Sequence, residues 1–409
     1  MEHLLTGRKS PEAMGLLSAL VYLLAIVNFL PFAFKHDIAA ATFAPDDKDR
    51  IIEADEIENG RFLHRFPLEK VTCPLRKMKD FTNGPQLASY GFAYGTLATV
   101  TILGILDDSF DMRWRHKFFI PAFAALPMLG LYFVDFGVTH VVVPLPLRPY
   151  LGDLVDLGGF YYLYMAAISI FCPNCINILA GVNGIEVGQS LVIAFLLVLN
   201  DALYLSPKLH QPHPAAESHL FSVYLLLPFI GVSLALLQHN WFPAKVFVGD
   251  TYCYFAGMVF AVVGILGHFS KTLLLLFIPQ IFNFCYSAPQ LFKIVPCPRH
   301  RLPRFNARTG LMEPSVATFD EDKPLRPIVG EALKVLGKLH LMKVETDGKG
   351  RVTEASNFTI LNLWLVWRGP LREDRLATEI LVMQTLCGLA GLWIRHSLAL
   401  LLFTADNRF

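Results

Sequence analysis

The chain has 409 residues, of which 54% are hydrophobic and 17% charged, with a formal net charge of +1. Soluble domains carry about a quarter charged residues, so a chain this apolar excludes a single water-soluble fold. The near-neutral balance also removes any global electrostatic case for nucleic acid or for a strongly acidic partner.

Crossing a bilayer takes about 20 mostly apolar residues, and stretches of that kind recur along the chain. Met14–Phe34 comes first, behind Arg8 and Lys9. Its apolar run exceeds a signal-peptide h-region and lacks a small-residue cleavage pattern, so it reads as an uncleaved anchor. Ala88–Leu106, Phe118–Val134, Phe160–Ile178 and Gly188–Leu205 follow, then His219–Leu237, Tyr252–Gly267, Thr272–Leu291 and Ile380–Phe403. Proline and glycine inside these runs are tolerated because neighbouring helices satisfy the freed backbone groups. The expected fold is an all-α polytopic membrane bundle of about nine to ten transmembrane helices, each about 20 residues long.

Consecutive spans put successive loops on alternate faces. One face receives Asp107–Lys117, Gly181–Val187, Gln238–Thr251 and the long Phe292–Glu379 segment. The other receives Asp135–Gly159, Ser206–Ser218 and His268–Lys271. The first set holds Arg113, Arg115, Lys117, Lys245, Lys293, Arg299, Arg301, Arg304 and Arg308; the second holds Arg148, Lys208 and Lys271. The positive-inside bias makes the first face cytosolic. The expected organisation is therefore a membrane bundle over residues 1–291, a small mixed cytosolic insertion over 292–379, and a final transmembrane helix with its tail over 380–409.

The residues that look chemical collect on that same face. Gly104-Ile105-Leu106-Asp107-Asp108 ends a span in two adjacent carboxylates. Acids at membrane depth usually mark a site, and two this close need a cation, a shared proton or good solvation. Magnesium with phosphate oxygens fits, since it takes oxygen ligands from one or two carboxylates plus substrate. Arg113-Trp114-Arg115-His116-Lys117 follows; the arginines suit headgroup anchoring, and Lys117 faces the carboxylates at the start of the next span. Asn174 and Asn177 lie three apart and share a helix face, where Asn174 equally suits an interhelical hydrogen bond. Gly181, Asn183 and Gly184 read as a tight turn that lets backbone approach a ligand. Val246-Phe247-Val248-Gly249-Asp250-Thr251 places one carboxylate at a span start, where Asp250 also suits a helix N-cap. Arg299-His300-Arg301 opens the insertion with groups suited to phosphate or to anionic lipid.

Two further motifs read as bland. Cys172-Pro173-Asn174-Cys175 has redox or zinc spacing, but without a second pair it reads as packing. Asn357-Phe358-Thr359 is a formal glycosylation sequon, and loop parity puts it on the cytosolic side, where it stays unmodified.

Taken in order, Leu-Asp-Asp with Arg-Trp-Arg-His-Lys, Ile-Asn-Ile-Leu-Ala-Gly-Val-Asn-Gly-Ile-Glu, His239-Asn240-Trp241 with Val-Phe-Val-Gly-Asp-Thr, and Pro-Cys-Pro-Arg-His-Arg resemble the eukaryotic UDP-N-acetylglucosamine:dolichyl-phosphate N-acetylglucosaminephosphotransferases. The wider superfamily includes the bacterial phospho-MurNAc-pentapeptide translocases. The resemblance runs from about Ala88 to Asn306 and more weakly beyond. It implies a homodimeric endoplasmic reticulum enzyme with a cytosol-facing site that transfers GlcNAc-1-phosphate from UDP-GlcNAc to dolichyl phosphate and releases UMP. By that resemblance Asn177 and Asp250 hold Mg2+, with Mn2+ the alternative, and Asp107, Asp108 and Lys117 are the catalytic neighbours. Gly181, Asn183 and Phe247 match the uridine-holding positions. Trp114, Arg299, His300 and Arg301 match the sugar and diphosphate clamp, and Asn174 joins the substrate set.

The sequence also departs from that family. The resemblance implies one more span than the sequence offers, between Lys35 and Ala88, where charged runs such as Cys73-Pro74-Leu75-Arg76-Lys77 exclude a membrane helix. The family's Pro-Glu element is absent there. An inactive or binding-only form is the alternative this raises. Asp107-Asp108-Ser109-Phe110-Asp111 also makes the DDxxD pattern of prenyl-transferring enzymes, but the only second acidic pair, Asp153 and Asp156, falls on the opposite face by loop parity.

Overall fold

The computed structural model describes residues 13–33, 85–110, 117–135, 137–205, 215–298, 301–319, 325–348 and 350–403. Of the interval expected to contain the additional span, residues 35–84 lie outside the described residues, as do Asp111, Trp114, Arg299 and His300.

Helices dominate, as the hydropathy pattern requires. The membrane part comprises α1 (Gly15–Ala33), α2 (Pro85–Phe110), α3 (Ile120–Ala124), α4 (Leu126–Asp135), α5 (Gly159–Ile178), α6 (Ile185–Tyr204), α7 (Ala216–Asn240), α8 (Gly249–Leu266), α9 (Ser270–Leu276) and α10 (Ile278–Leu291). Among the described residues six helices are long and apolar enough to cross a bilayer: α2, α5, α6, α7, α8 and the last helix. The chain is a multi-pass membrane protein.

Two expected spans are interrupted, each at proline. Thr272–Leu291 is divided into α9 and α10, bent by 69°, with Pro279 at the start of α10. Phe118–Val134 is divided into α3 and α4, with Pro121 in the first turn of α3 and Pro127 at the second position of α4. Proline has no N–H to continue the previous helix and clashes with its carbonyls, so the chain restarts there. The last helix, α13 (Glu373–Trp393), begins at Glu373 instead of Ile380. Its first two turns carry Glu373, Asp374, Arg375 and Glu379, which hydropathy cannot recognise as helix.

Helix α8 is the centre of the bundle. From Thr251 to Leu266 every residue is buried, so α8 meets protein all round while its neighbours turn one face to lipid. Gly104 sets the approach of α2 to it: a Cβ there would lie 2.7 Å from Thr251 Cα. Any side chain would push the two helices apart at the level of the acidic pair. Cys172 and Cys175 are free and buried in the apolar core, as the packing reading expects.

Between α5 and the preceding helix lies a hairpin of β1 (His140–Val142) and β2 (Leu154–Asp156), paired antiparallel with Val141 opposite Val155. It occupies the end of the bundle opposite the C-terminus of α5. Between α10 and α13 lies a small mixed unit: β3 (Arg304–Asn306), β4 (Leu311–Glu313), β5 (Val316–Thr318), α11 (Pro327–Lys338), β6 (Val344–Thr346), β7 (Val352–Ser356) and α12 (Ile360–Arg368). Strands β3 and β4 pair, and β7 lies between β5 and β6, all antiparallel. The unit buries its own apolar residues, among them Leu333, Met342 and Phe358. Asn357 is fully buried there, its side chain bonded by Gln290 Nε2 at 2.7 Å and to Ser315 Oγ at 2.9 Å. In the folded protein the sequon asparagine is enclosed, with no room for a glycan.

Candidate active site

One end of the bundle gathers the C-termini of α2, α5 and α7 and the N-termini of α6, α8 and α13. An antiparallel bundle makes this inevitable once the loops between them are short, and it brings together residues far apart in sequence.

Lys117 is the hub. Its ammonium lies 2.7 Å from Asp250 Oδ2 and 3.1 Å from Asp107 Oδ2. It therefore ties the end of α2 to the first turn of α8. Burial alone would depress the ammonium, but Asp250 and Asp107 outweigh that and hold it above its ordinary value. It stays a cation between two carboxylates, which relieves their mutual repulsion. The Asp107 side chain is 2% exposed, yet among the described residues its Oδ1 has no hydrogen-bond partner. A buried carboxylate oxygen left bare carries a desolvation penalty unless a ligand supplies the missing partner.

Asp108 does something different from its neighbour. Its Oδ1 accepts the Asp250 N–H at 2.8 Å, and its Oδ2 accepts the Thr251 N–H at 3.1 Å together with the Thr251 hydroxyl. Helix α8 has no side-chain cap of its own at Val248. Asp108 caps it from another helix, and the expectation that Asp250 is its own cap is corrected accordingly. The carboxylate also complements the positive end of the helix dipole. Asp107 and Asp108, adjacent in sequence, thus divide into a group facing the site and a group holding α8 in place.

Asn174 and Asn177 sit in the last turns of α5, as the three-residue spacing predicts. Asn174 donates to Ile170 O at 2.8 Å and Phe118 O at 3.2 Å, so its amide binds α5 to the segment that follows Lys117. Asn177 is only partly buried and lies beside Asp250. The C-terminal carbonyls of α5 are covered by Gln189, whose amide donates to Ile176 O at 3.1 Å and Leu179 O at 2.7 Å. That fixes the turn carrying Asn177.

The turn between α5 and α6 needs its glycines. Gly181 has φ +97° and Gly184 φ +82°, in the left-handed region that L-residues with a Cβ rarely enter. At Gly181 a Cβ would also lie 2.0 Å from Leu302 Cδ2. Leu302 follows Arg301 directly, so the basic motif of the insertion is pressed against this turn. Arg301 is half-buried, and among the described residues its Nη1 has no hydrogen-bond partner; burial lowers its pKa below the ordinary guanidinium value. A guanidinium fork of this kind suits anions, because its N–H groups lie in one plane and match paired oxygens. Phe247 is 37% exposed, while its carbonyl accepts from Met14 N at 3.0 Å. Its position beside the Asp250 turn keeps an aromatic surface accessible at this end.

Sequence reasoning assigned no role to Glu186, Asn240 or Glu373, yet all three accept hydrogen bonds from the turn. An acid in the first turn of an apolar helix was the available signal for Glu186 and Glu373.

The donor set around Asp250 suits a hard cation. It is all oxygen: Asp250, the Asn177 amide and the bare Asp107 Oδ1. Among the described residues no cluster of three or more His, Cys, Asp or Glu side chains forms a cage. Magnesium needs none, since it keeps waters and takes its remaining ligands from substrate phosphates.

Comparison with known proteins bears on this constellation. The glycosyl transferase family 4 model matches residues 91–268. The UDP-N-acetylglucosamine–dolichyl-phosphate N-acetylglucosaminephosphotransferase of Saccharomyces cerevisiae is 51% identical over 97% of this chain and 84% of that protein. The protein of the same name from Schizosaccharomyces pombe is 49% identical over 97% and 84%. That from Dictyostelium discoideum is 38% identical over 96% and 78%.

Proposed function

Since the chain belongs to the family of UDP-N-acetylglucosamine–dolichyl-phosphate N-acetylglucosaminephosphotransferases, we propose that it transfers GlcNAc-1-phosphate from UDP-GlcNAc to dolichyl phosphate. The observation that carries this reading is the Lys117 bridge between Asp107 and Asp250 at the membrane end where Arg301 has, among the described residues, a guanidinium N–H without a partner. The products are GlcNAc-diphosphate-dolichol and UMP.

The reaction forms one P–O bond and breaks one. A phosphate oxygen of dolichyl phosphate attacks the sugar-bearing phosphorus of UDP-GlcNAc, and the bond from that phosphorus to the bridging oxygen breaks, leaving UMP. The attacking oxygen is already anionic near neutral pH, so no side chain need remove a proton. The larger task is to bring two anions together. Lys117 and Arg301 offset that repulsion by charge, and a fixed site turns the encounter into an intramolecular step. Asp250 and Asn177, with Asp107 nearby, would hold Mg2+ or Mn2+, which when bound neutralises phosphate charge as a Lewis acid. Asp108 serves by holding α8, and with it Asp250, at the right height. Phe247, Gly181 and Asn183 would take the uridine. Arg299, His300 and Trp114 belong by motif to the clamp on the sugar and diphosphate.

The lysine and arginine bias of the loops supports a cytosol-facing site in the endoplasmic reticulum membrane, where the initiating step of lipid-linked oligosaccharide synthesis for N-glycosylation would draw on nucleotide sugar. A homodimer is part of the same reading. The test is metal-dependent formation of GlcNAc-diphosphate-dolichol and UMP in membranes bearing the chain, with Asp250→Ala as control. Product that vanishes in the variant establishes the activity. Its absence from well-folded wild-type protein would replace it with a binding-only role.

A further inference from the structure

The turn between α5 and α6 precedes a helix of 20 residues. Glycine-rich turns at helix N-termini are ordinarily anion sites, because their N–H groups point outward and the dipole favours negative charge. Here those N–H groups are already taken. Gly181 N donates to Glu186 Oε1 at 2.8 Å, Asn183 N to Glu373 Oε1 at 2.9 Å and Gly184 N to Asn240 Oδ1 at 3.1 Å. The three acceptors come from α6, α13 and α7. Two of them are carboxylates that repel a phosphate.

Glu373 is the least expected of the three. It is 6% exposed and opens the helix that leaves the insertion, 190 residues from its partner. A packing role alone would be met more cheaply by an apolar residue, since burying a carboxylate carries a large desolvation cost. Its neighbour Asp374 is paired outward to Arg372, so the site-facing bond belongs to Glu373 alone. We propose that Glu373 is a positioning residue for nucleotide binding: its carboxylate takes the Asn183 N–H at 2.9 Å and so holds the turn in the single conformation in which it meets the base. The diphosphate is thereby left to Lys117 and Arg301. The inference rests on the reading that the ligand is a uridine nucleotide, and it adds the coupling of the last helix to base selection.

The test is steady-state kinetics of the full chain in lipid for Glu373→Ala, Glu373→Asp and Glu373→Gln, varying the two substrates separately. Loss of a hydrogen bond to a charged acceptor sets the expected rise in KM for UDP-GlcNAc at roughly ten-fold in the Ala and Asp variants. KM for dolichyl phosphate stays as in wild type. Gln keeps an acceptor oxygen at the same reach and restores KM. Competition supplies a second readout: UMP, which carries the imide N–H, outcompetes CMP in wild type, and the preference narrows in Glu373→Ala. If Ala does not fold, Asp against Gln carries the same comparison. Equal rises in both KM values, a fall in kcat alone, an unrescued Gln variant or an unchanged UMP-to-CMP preference overturns the proposal. Should wild type turn over no UDP-GlcNAc, the functional reading fails by itself. Protection against thermal unfolding by UMP over CMP, in wild type against Glu373→Ala, then still decides the role of Glu373.

Discussion

Replacing Asp108 separates a catalytic acid from a helix clamp. In the structure its two oxygens accept the Asp250 and Thr251 N–H groups at 2.8 and 3.1 Å and the Thr251 hydroxyl besides. Asp108→Ala removes all three, and a lost helix cap costs about 0.5–2 kcal/mol. Asp108→Asn keeps one carbonyl oxygen but turns an NH2 group toward the remaining donors, so it should lie in the lower half of that range. The consequence for turnover is larger than for stability. Asp250 rides on the first turn of α8, and a displacement on the order of 1 Å in a reacting site costs about a hundred-fold. The expected order of kcat is wild type, then Asn, then Ala, with Ala down roughly a hundred-fold. UMP release measured across pH is the assay. Because the clamp moves no proton, the pH profile of Asp108→Asn keeps the wild-type shape at reduced height. Loss of one limb of the profile would show that Asp108 transfers a proton, and wild-type kcat in Asp108→Ala would show that the clamp is dispensable; either refutes the reasoning.

Other expectations follow from the same geometry. Lys117→Met strands Asp107 and Asp250 without their shared cation, and initial rates at saturating substrate should fall by about a hundred-fold or more. Gly181→Ala puts a Cβ against Leu302 at a φ of +97°. Strain of about 1–3 kcal/mol should appear as a lower unfolding temperature and a raised KM for UDP-GlcNAc. Chelation with EDTA should abolish UMP release and Mg2+ should restore it, whereas Asp250→Ala should remain inactive after metal is returned. Asn357 should carry no glycan, so glycosidase treatment should leave electrophoretic mobility unchanged.

The membrane bundle was legible in the chain because lipid demands long uncharged helices, and hydropathy reports that demand directly. Where local chemistry opposes it the reading slipped. Prolines at 121, 127 and 279 broke two expected spans, and the charged first turns of α13 hid the true start of the last helix at Glu373.

The candidate site divides along a similar line. Residue types and spacing alone picked out Asp107, Asp108, Lys117, Asn177, Gly181 and Asp250, because carboxylates, amides and tight turns beside a bilayer are costly without a purpose. Asp250 as the partner of Lys117, across 133 residues, is a matter of which helix ends meet, and spacing cannot report that. Nor could sequence tell Asp107 from Asp108: successive residues of a helix point about 100° apart, so one carboxylate faces Lys117 while the other reaches the end of α8. The roles of Glu373 and Asn240 escape the sequence for the same reason. Their partners are backbone N–H groups of a distant turn, and a backbone group has no letter in the sequence. Composition and motif thus determined the solvent, the fold class and the chemical inventory. Tertiary structure decided which acid faces the ligand and which holds the helix, because those roles depend on direction and distance between segments that only packing brings together.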